Sequence, residues 1–212
     1  MLALSPTAPE HAAKLLPQVL SKTLNCFCFL LPTNTLHAMS INLSKRKRIA
    51  IVDIDGTLFS TVKRLAATTK DGFFNWKIWQ DPDQMRTDTP SWVLGAIKHL
   101  KEVQGFTIIL FSGRGDTNKP VTLEMLEKYD VPYDELFMRQ DDPNGEDTHP
   151  NGNKKDDYLV KDRMLRQLAD HGYDLDDIEI VFDDNPKVIK LWKENMSRYN
   201  YFLHQLPFNS TK

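Results

Sequence analysis

The run Ile49-Ala50-Ile51-Val52-Asp53-Ile54-Asp55-Gly56-Thr57 constrains this chain more than any other stretch. Its apolar residues are mostly β-branched and almost uninterrupted, the pattern of a strand buried on both faces in a parallel sheet. Gly56 then ends it in a turn. Side chains alternate along a strand, so Asp53 and Asp55 are aimed the same way at the carboxyl edge of the sheet. Alone, such an acidic turn has two readings: a β-turn whose glycine supplies unusual dihedrals, or the edge of a catalytic site.

The rest of the chain supplies the partners for that strand. Residues 90–103 carry Val93, Leu94, Ile97 and Leu100 at helical spacing and stop at Gly105, before the strand-like run FTIILF. A helix is expected over 117–129, a short strand at Leu136 to Met138, an amphipathic helix over 156–171 closed by Gly172, and a strand at IEIVFD. A helix with proline in its first turn follows at 186–195, and a last strand at 199–204. Strands alternating with helices imply an α/β, Rossmann-like parallel sheet of about five strands, with helices on both faces. Ligands of such sheets lie at the carboxyl ends of the strands.

Two regions break the alternation. Residues 59–89 form a small insert after the first strand, rich in aromatics around FFNWKIW and expected to act as a minimal cap. Phe73, Phe74, Trp76 and Trp79 in it read first as the packing of a short helix, with stacking on a base as the alternative. Residues 140–155 have the Asp, Asn, Gly and Pro content of a flexible loop.

With 212 residues the chain holds one ordinary domain plus extra material. A net charge of −2 supplies no overall basic field, so any site for a polyanion has to be local. The only cysteines, Cys26 and Cys28, have no neighbouring His or Cys, which points to neither a disulfide framework nor a zinc site and suits a reducing cytoplasm, a host's if the source is viral. Residues 1–38 include an apolar run from Leu24 to Leu31, shorter than the roughly 20 residues that a membrane span needs. Lys14 and Lys22 before it and Ala38 after it leave a signal peptide open. A disordered or non-native extension is the favoured reading, with Met39 opening the compact domain over residues 39–212.

Other strand ends carry the chemistry that Asp53 and Asp55 would need. A carboxylate oriented by a cation can attack phosphorus and divide hydrolysis into two easier steps, and a second acid can move the proton. Ser112-Gly113-Arg114 closes the second strand with a hydroxyl, a backbone amide and a guanidinium, a set able to hold a phosphate, although a plain turn explains it alone. Asp183 and Asp184 close a later strand with the oxygen ligands that Mg²⁺ prefers, or with a helix cap before Pro186. Lys161 lies in a helix where a solvated face is the ordinary explanation. Gathering several carboxylates is costly unless a cation and a lysine offset them, so the site reading requires a metal.

In its order of motifs, DIDGT at Asp53 to Thr57, then Ser112, Lys161 and Asp183-Asp184, the sequence resembles the haloacid dehalogenase (HAD) superfamily over residues 48–204. The resemblance implies Asp53 as nucleophile, Asp55 as acid and base, Ser112 and Lys161 as phosphate holders, and Mg²⁺ held by Asp53, the Asp55 carbonyl, Asp183 and Asp184. Thr57, Gly113 and Arg114 would lie on the substrate side.

Within that superfamily the chain is most similar to the 3′-phosphatase domain of phage-type polynucleotide kinase and its stand-alone relatives, on FNWKIWQDPDQMRTDTP, FSGR, PYDELFMR, KKDDYLVK and VFDDNPKVIKLW. This implies that Arg139 and Asp156 bind substrate or organise Lys161, although each also reads as a surface or capping residue. The implied function is polynucleotide 3′-phosphatase in nucleic-acid end repair; a nucleotide phosphatase and a non-catalytic HAD-fold binding protein are the alternatives. The chain departs from the family at Asn185, where Arg is frequent, and in its longer 140–155 loop. It has no GxxxxGK[ST] loop, so no kinase half is expected, nor a membrane partner.

Overall fold

In a computed structural model of the chain, residues 47–70, 72–195 and 202–205 are described. The expectations for residues 1–38 and for the first residues of the last strand lie outside them. Five strands form one sheet: β1 (Ile49–Asp53), β2 (Thr107–Gly115), β3 (Glu135–Arg139), β4 (Ile178–Asp183) and β5 (Phe202–Gln205). All neighbours run parallel in the order β3-β2-β1-β4-β5. The Rossmann-like reading therefore holds. The chain starts in the middle, fills one side, then returns to the other, and the direction of filling reverses between β1 and β4, where ligand crevices form.

The period-two pattern of β1 assigns its two faces. Ala50, Val52 and Ile54 pack toward α4 (Val93–Glu102) and α5 (Lys119–Lys128), against Val93, Ile97, Val121 and Met125. Ile49 and Ile51 face α6 (Asp157–Asp170) and α7 (Pro186–Asn195), against Val160, Met164, Val188 and Trp192. Asp53 belongs to the second set by parity, which turns its carboxylate toward α6.

The insert holds three short helices, α1 (Val62–Thr68), α2 (Trp76–Trp79) and α3 (Pro82–Met85). Two-residue antiparallel ribbons join Phe59–Ser60 to Thr89–Pro90 and Thr69–Lys70 to Phe73–Phe74. Two of its aromatic residues depart from the packing expectation: Phe73, on the ribbon, is 80% exposed and Trp76, at the start of α2, 66%, while Trp79 is half-buried against Arg64. The 140–155 loop also departs from its reading as flexible. Asp147 is buried in it, accepts hydrogen bonds from Arg163 Nε and Nη2 at 2.9 Å and from the Gln140 amide at 2.8 Å, and fastens the loop to α6. Among the described residues no helix is long and apolar enough to cross a membrane.

Candidate active site

The carboxyl ends of β1, β2 and β4 meet one face of α6, and there the separated motifs become one cluster. Lys161 is buried, with Nζ 2.7 Å from Asp53 Oδ1 and 2.8 Å from Asp183 Oδ2. Carboxylate oxygens of Asp53, Asp183 and Asp184 lie within 4.8 Å of one another. Gly56, at φ +88°, passes so close to the Asp184 carboxylate that a Cβ would collide with it, so the glycine of the turn serves both its backbone and its neighbour. Asn185 donates its amide to Asp183 Oδ1 at 3.0 Å, and its own Oδ1 accepts from the Lys187 amide at 3.0 Å, capping α7.

Burial pushes the Asp53 carboxyl well above its ordinary value; Lys161 opposes the shift, and Asp183 and Asp184 add to it. Asp184 is pushed up to about 7, first by burial and then by Asp183. Burial works against the Lys161 ammonium too, but Asp183 and Asp53 outweigh it and raise its affinity for the proton. Asp53 Oδ2 is buried without a hydrogen-bond partner among the described residues. An orphaned carboxylate oxygen beside two further acids, with one ammonium among three carboxylates, fits a hard divalent cation such as Mg²⁺.

Asp55, two residues along, is in a different setting. Its Oδ1 accepts from Arg64 Nη2 and Arg114 Nη2, both at 2.5 Å. The same guanidiniums reach Asp88 Oδ2 at 2.9 and 3.1 Å, closing a four-member network of two acids and two bases. Burial pushes Asp55 up, but Arg114 and Arg64 outweigh it and hold the carboxyl well below the ordinary range. Asp88 ends on the other side of the balance, at about 7, because burial exceeds the help of Arg64 and Arg114. Arg64 also lies 4.0 Å over the Trp79 ring and donates to the Trp79 carbonyl at 3.2 Å.

Several expected substrate-side residues are used differently. The Arg114 guanidinium is buried and committed to Asp55, Asp88 and Thr122, which corrects its expected role as a direct phosphate donor. Thr57 Oγ1 is buried 3.5 Å from Asp184 Oδ1. Ser112 is buried at the cluster's rim and accepts from the Arg114 amide at 3.2 Å. The β2–β3 register slips between Ser112 and Gly115, so Gly113 and Arg114 form a bulge, a device that re-aims groups at strand ends. Arg139 donates to the Gly113 carbonyl, the Lys155 carbonyl and Asp157 Oδ1 at 3.0, 2.7 and 2.9 Å, bracing that bulge against α6. Asp156 stands at the N-cap position of α6 without a side-chain capping hydrogen bond; it is exposed, with its carboxylate 3.2 Å from Lys187 Nζ, so it is a surface residue and not one beside Lys161.

Three residues of the site escaped the sequence reading: Arg64, Asp88 and Asp157. The Asp157 carboxylate packs on Gly113, where a Cβ would collide with it, and it strengthens the proton affinity of Lys161. Its position one helical turn before Lys161 in KKDDYLVK was a usable signal. Arg64 and Asp88 sit in the insert, where no periodicity marks them.

Family comparison agrees with this geometry. The family described as the polynucleotide kinase PNKP phosphatase domain matches residues 47–198, well over half of the chain. No curated protein matches the sequence significantly. Among solved structures, a chain of the Pnkp1/Rnl/Hen1 RNA repair complex is similar with TM-score 0.53 and 20% identity over 77% of this chain and 43% of that one. The present chain thus spans less than half of that chain's length. A class C acid phosphatase from Bacillus anthracis with tungstate bound is similar with TM-score 0.52 and 15% identity, over 82% of this chain and 72% of that one. Both likenesses are of fold. On the family match, this chain belongs to the polynucleotide kinase PNKP phosphatase domain family of the HAD superfamily, and is a phosphoric monoester hydrolase.

Proposed function

We propose that the protein is a Mg²⁺-dependent phosphomonoesterase that works through an aspartyl-phosphate intermediate and removes the 3′-phosphate from a nucleic-acid end. The observation that carries this reading is the family match over residues 47–198. The insert supports it, being built only of short helices and two-residue ribbons and so too small to form a large cap that seals around a small metabolite.

In the first step Asp53 forms a bond to phosphorus as the bond from phosphorus to the sugar oxygen breaks, and Asp55 gives that oxygen its proton. In the second step Asp55 takes a proton from water as the water oxygen bonds to phosphorus and the Asp53–phosphorus bond breaks, releasing inorganic phosphate. Lys161 holds Asp53 at 2.7 Å and faces the negative charge that builds on the phosphoryl group. Asp53, the Asp55 carbonyl, Asp183 and Asp184 are the groups to hold Mg²⁺, which supplies charge neutralisation and a template for the phosphoryl oxygens. Ser112, the Gly113 amide and Thr57 line the phosphate side.

Both arginines engage Asp55 Oδ1, so the proton falls to Oδ2. With the site free of substrate the arginines keep Asp55 ionised; a dianionic phosphate nearby raises its affinity for a proton and readies it as an acid.

The test is phosphate release from a 3′-phosphorylated oligonucleotide, compared with deoxynucleoside 3′- and 5′-monophosphates, with Mg²⁺ and with a chelator. The expected result is release from the oligonucleotide, abolished by chelation and by Asp53→Asn. Release from the mononucleotides alone would assign the site to free nucleotides.

A further inference from the structure

We infer that the exposed aromatic face formed by Phe73, Phe74 and Trp76 is a stacking platform for the unpaired nucleobases next to the reacting phosphate. This inference rests on the polynucleotide reading above. Exposed aromatics grouped in one short segment are uncommon on a soluble surface, because each forfeits the stabilisation of burial. Here the group is held in place. Phe74 and Trp76 stand edge to face with centroids 4.8 Å apart, and Phe74 lies 5.5 Å from Trp79. Between them Asn75 caps α2, its Oδ1 accepting from the Lys77 amide at 3.0 Å, and its own amide donates to the Thr68 carbonyl at 3.0 Å. The rings are thereby presented from fixed backbone.

The platform packs onto a buried residue that holds a catalytic group. Trp79 packs under Arg64 at 4.0 Å, and Arg64 bonds Asp55 at 2.5 Å, so one tryptophan and one arginine separate the platform from the proposed proton donor. A strand whose end is at Asp53 would run its next bases over this face. Charge agrees with that occupant. Lys63 and Lys77 are exposed on α1 and α2, and residues 60–70 and 72–80 contain no acid, Asp71 alone standing between them. Planar aromatic rings with cations beside them match stacked bases and their phosphates.

The double variant Phe73→Ala/Trp76→Ala tests this, since both side chains are largely in solvent and their removal leaves the core intact. Binding of a dye-labelled single-stranded oligonucleotide with a 3′-hydroxyl is measured by fluorescence anisotropy, which needs no turnover. The expected result is about a tenfold or greater rise in Kd for the variant. The ratio of kcat/KM for 3′-phosphorylated oligonucleotide to that for an aryl phosphate should fall by a similar factor. Unchanged oligonucleotide affinity overturns the platform and leaves the face to a protein partner; an equal loss with both substrates overturns it in favour of packing. A wild-type protein that cleaves aryl phosphate but never the oligonucleotide defeats the polynucleotide reading instead, while the binding comparison still judges the platform.

Discussion

Asp53 and Asp55 leave the same strand end two residues apart, yet their surroundings treat them oppositely. Asp53 is crowded by Asp183 and Asp184, with one ammonium among three carboxylates, and its buried Oδ2 has no partner among the described residues. Asp55 is gripped by two guanidiniums that a second acid, Asp88, helps to hold. The first setting is short of positive charge and has place for a cation; the second is complete within the protein. A carboxylate meant to bond to phosphorus needs an oxygen left open, whereas one meant to pass a proton needs fixed aim. The two regions fit that division of labour.

The comparison breaks most decisively at Asp53. Asp53→Asn keeps the shape and removes the nucleophile, and kcat should fall by roughly 10⁴-fold or more while circular dichroism stays that of the wild type. Retention of a tenth of the activity would move the nucleophile elsewhere. Arg64→Ala comes next. It leaves Asp55 and the buried Asp88 with Arg114 alone, so kcat should drop by about 10²-fold, and the unfolding free energy by roughly 3–5 kcal/mol, the usual cost of breaking a buried pair on one side. Arg64→Lys should recover little, because one ammonium cannot reproduce a fork that meets both acids. An Arg64→Ala protein with normal kcat would reduce the clamp to scaffolding.

The outcomes for Asp53 and Arg64 mirror how each was legible. A β-branched run ending in DxDGT, and acids or a hydroxyl at other strand ends, are local signals, and from them the sheet, its helices and the acids Asp53, Asp183 and Asp184 follow; Lys161, inside a helix, joined them only through the order of the motifs. The clamp is not local. Arg64 lies in an insert whose short helices have too few turns to show a period, and its partners are 9 and 24 residues away. Arg114 shows the complementary failure. Its place after Ser112 suggested a phosphate donor, but a bulge in β2 turns it under the strand end toward Asp55. The 140–155 loop has the composition of a mobile segment; the buried pair of Asp147 with Arg163 ties it to α6, and composition cannot reveal such a contact.

Acidity sharpens the comparison at a smaller scale. Asp88 binds its proton in the folded protein up to about 7, against an ordinary value of 3.8. Between those values the native state holds a proton that the unfolded chain has released, so this group's contribution to stability is complete at low pH and is lost as pH rises through that window. Asp55 has the opposite sign: its stabilisation is present above its ordinary value and disappears only as pH falls below it. Asp88→Asn should therefore remove roughly 2–4 kcal/mol of the decline in stability between about pH 4 and pH 7, read from denaturant midpoints at constant ionic strength. A pH profile identical to that of the wild type would show that Asp88 ionises normally against its arginines.

The smallest effect is expected at Thr57, on the turn after Asp55. Its hydroxyl lies 3.5 Å from Asp184 Oδ1, at the long limit of a hydrogen bond, while its carbonyl is tied to Ser91 Oγ at 2.5 Å whatever the side chain is. Thr57→Val keeps the volume and the β-branch in a fully buried position, so unfolding stability should change by no more than about 1 kcal/mol. If the hydroxyl serves only Asp184, the variant should need a few-fold more Mg²⁺ for half-maximal rate, with KM for substrate unchanged. If it touches the phosphate, KM should rise at saturating Mg²⁺ by about tenfold, the scale of one lost hydrogen bond to a charged group. The first result places Thr57 with the metal-side cluster, and the second makes the turn a contact between phosphate and the strand end that carries both aspartates.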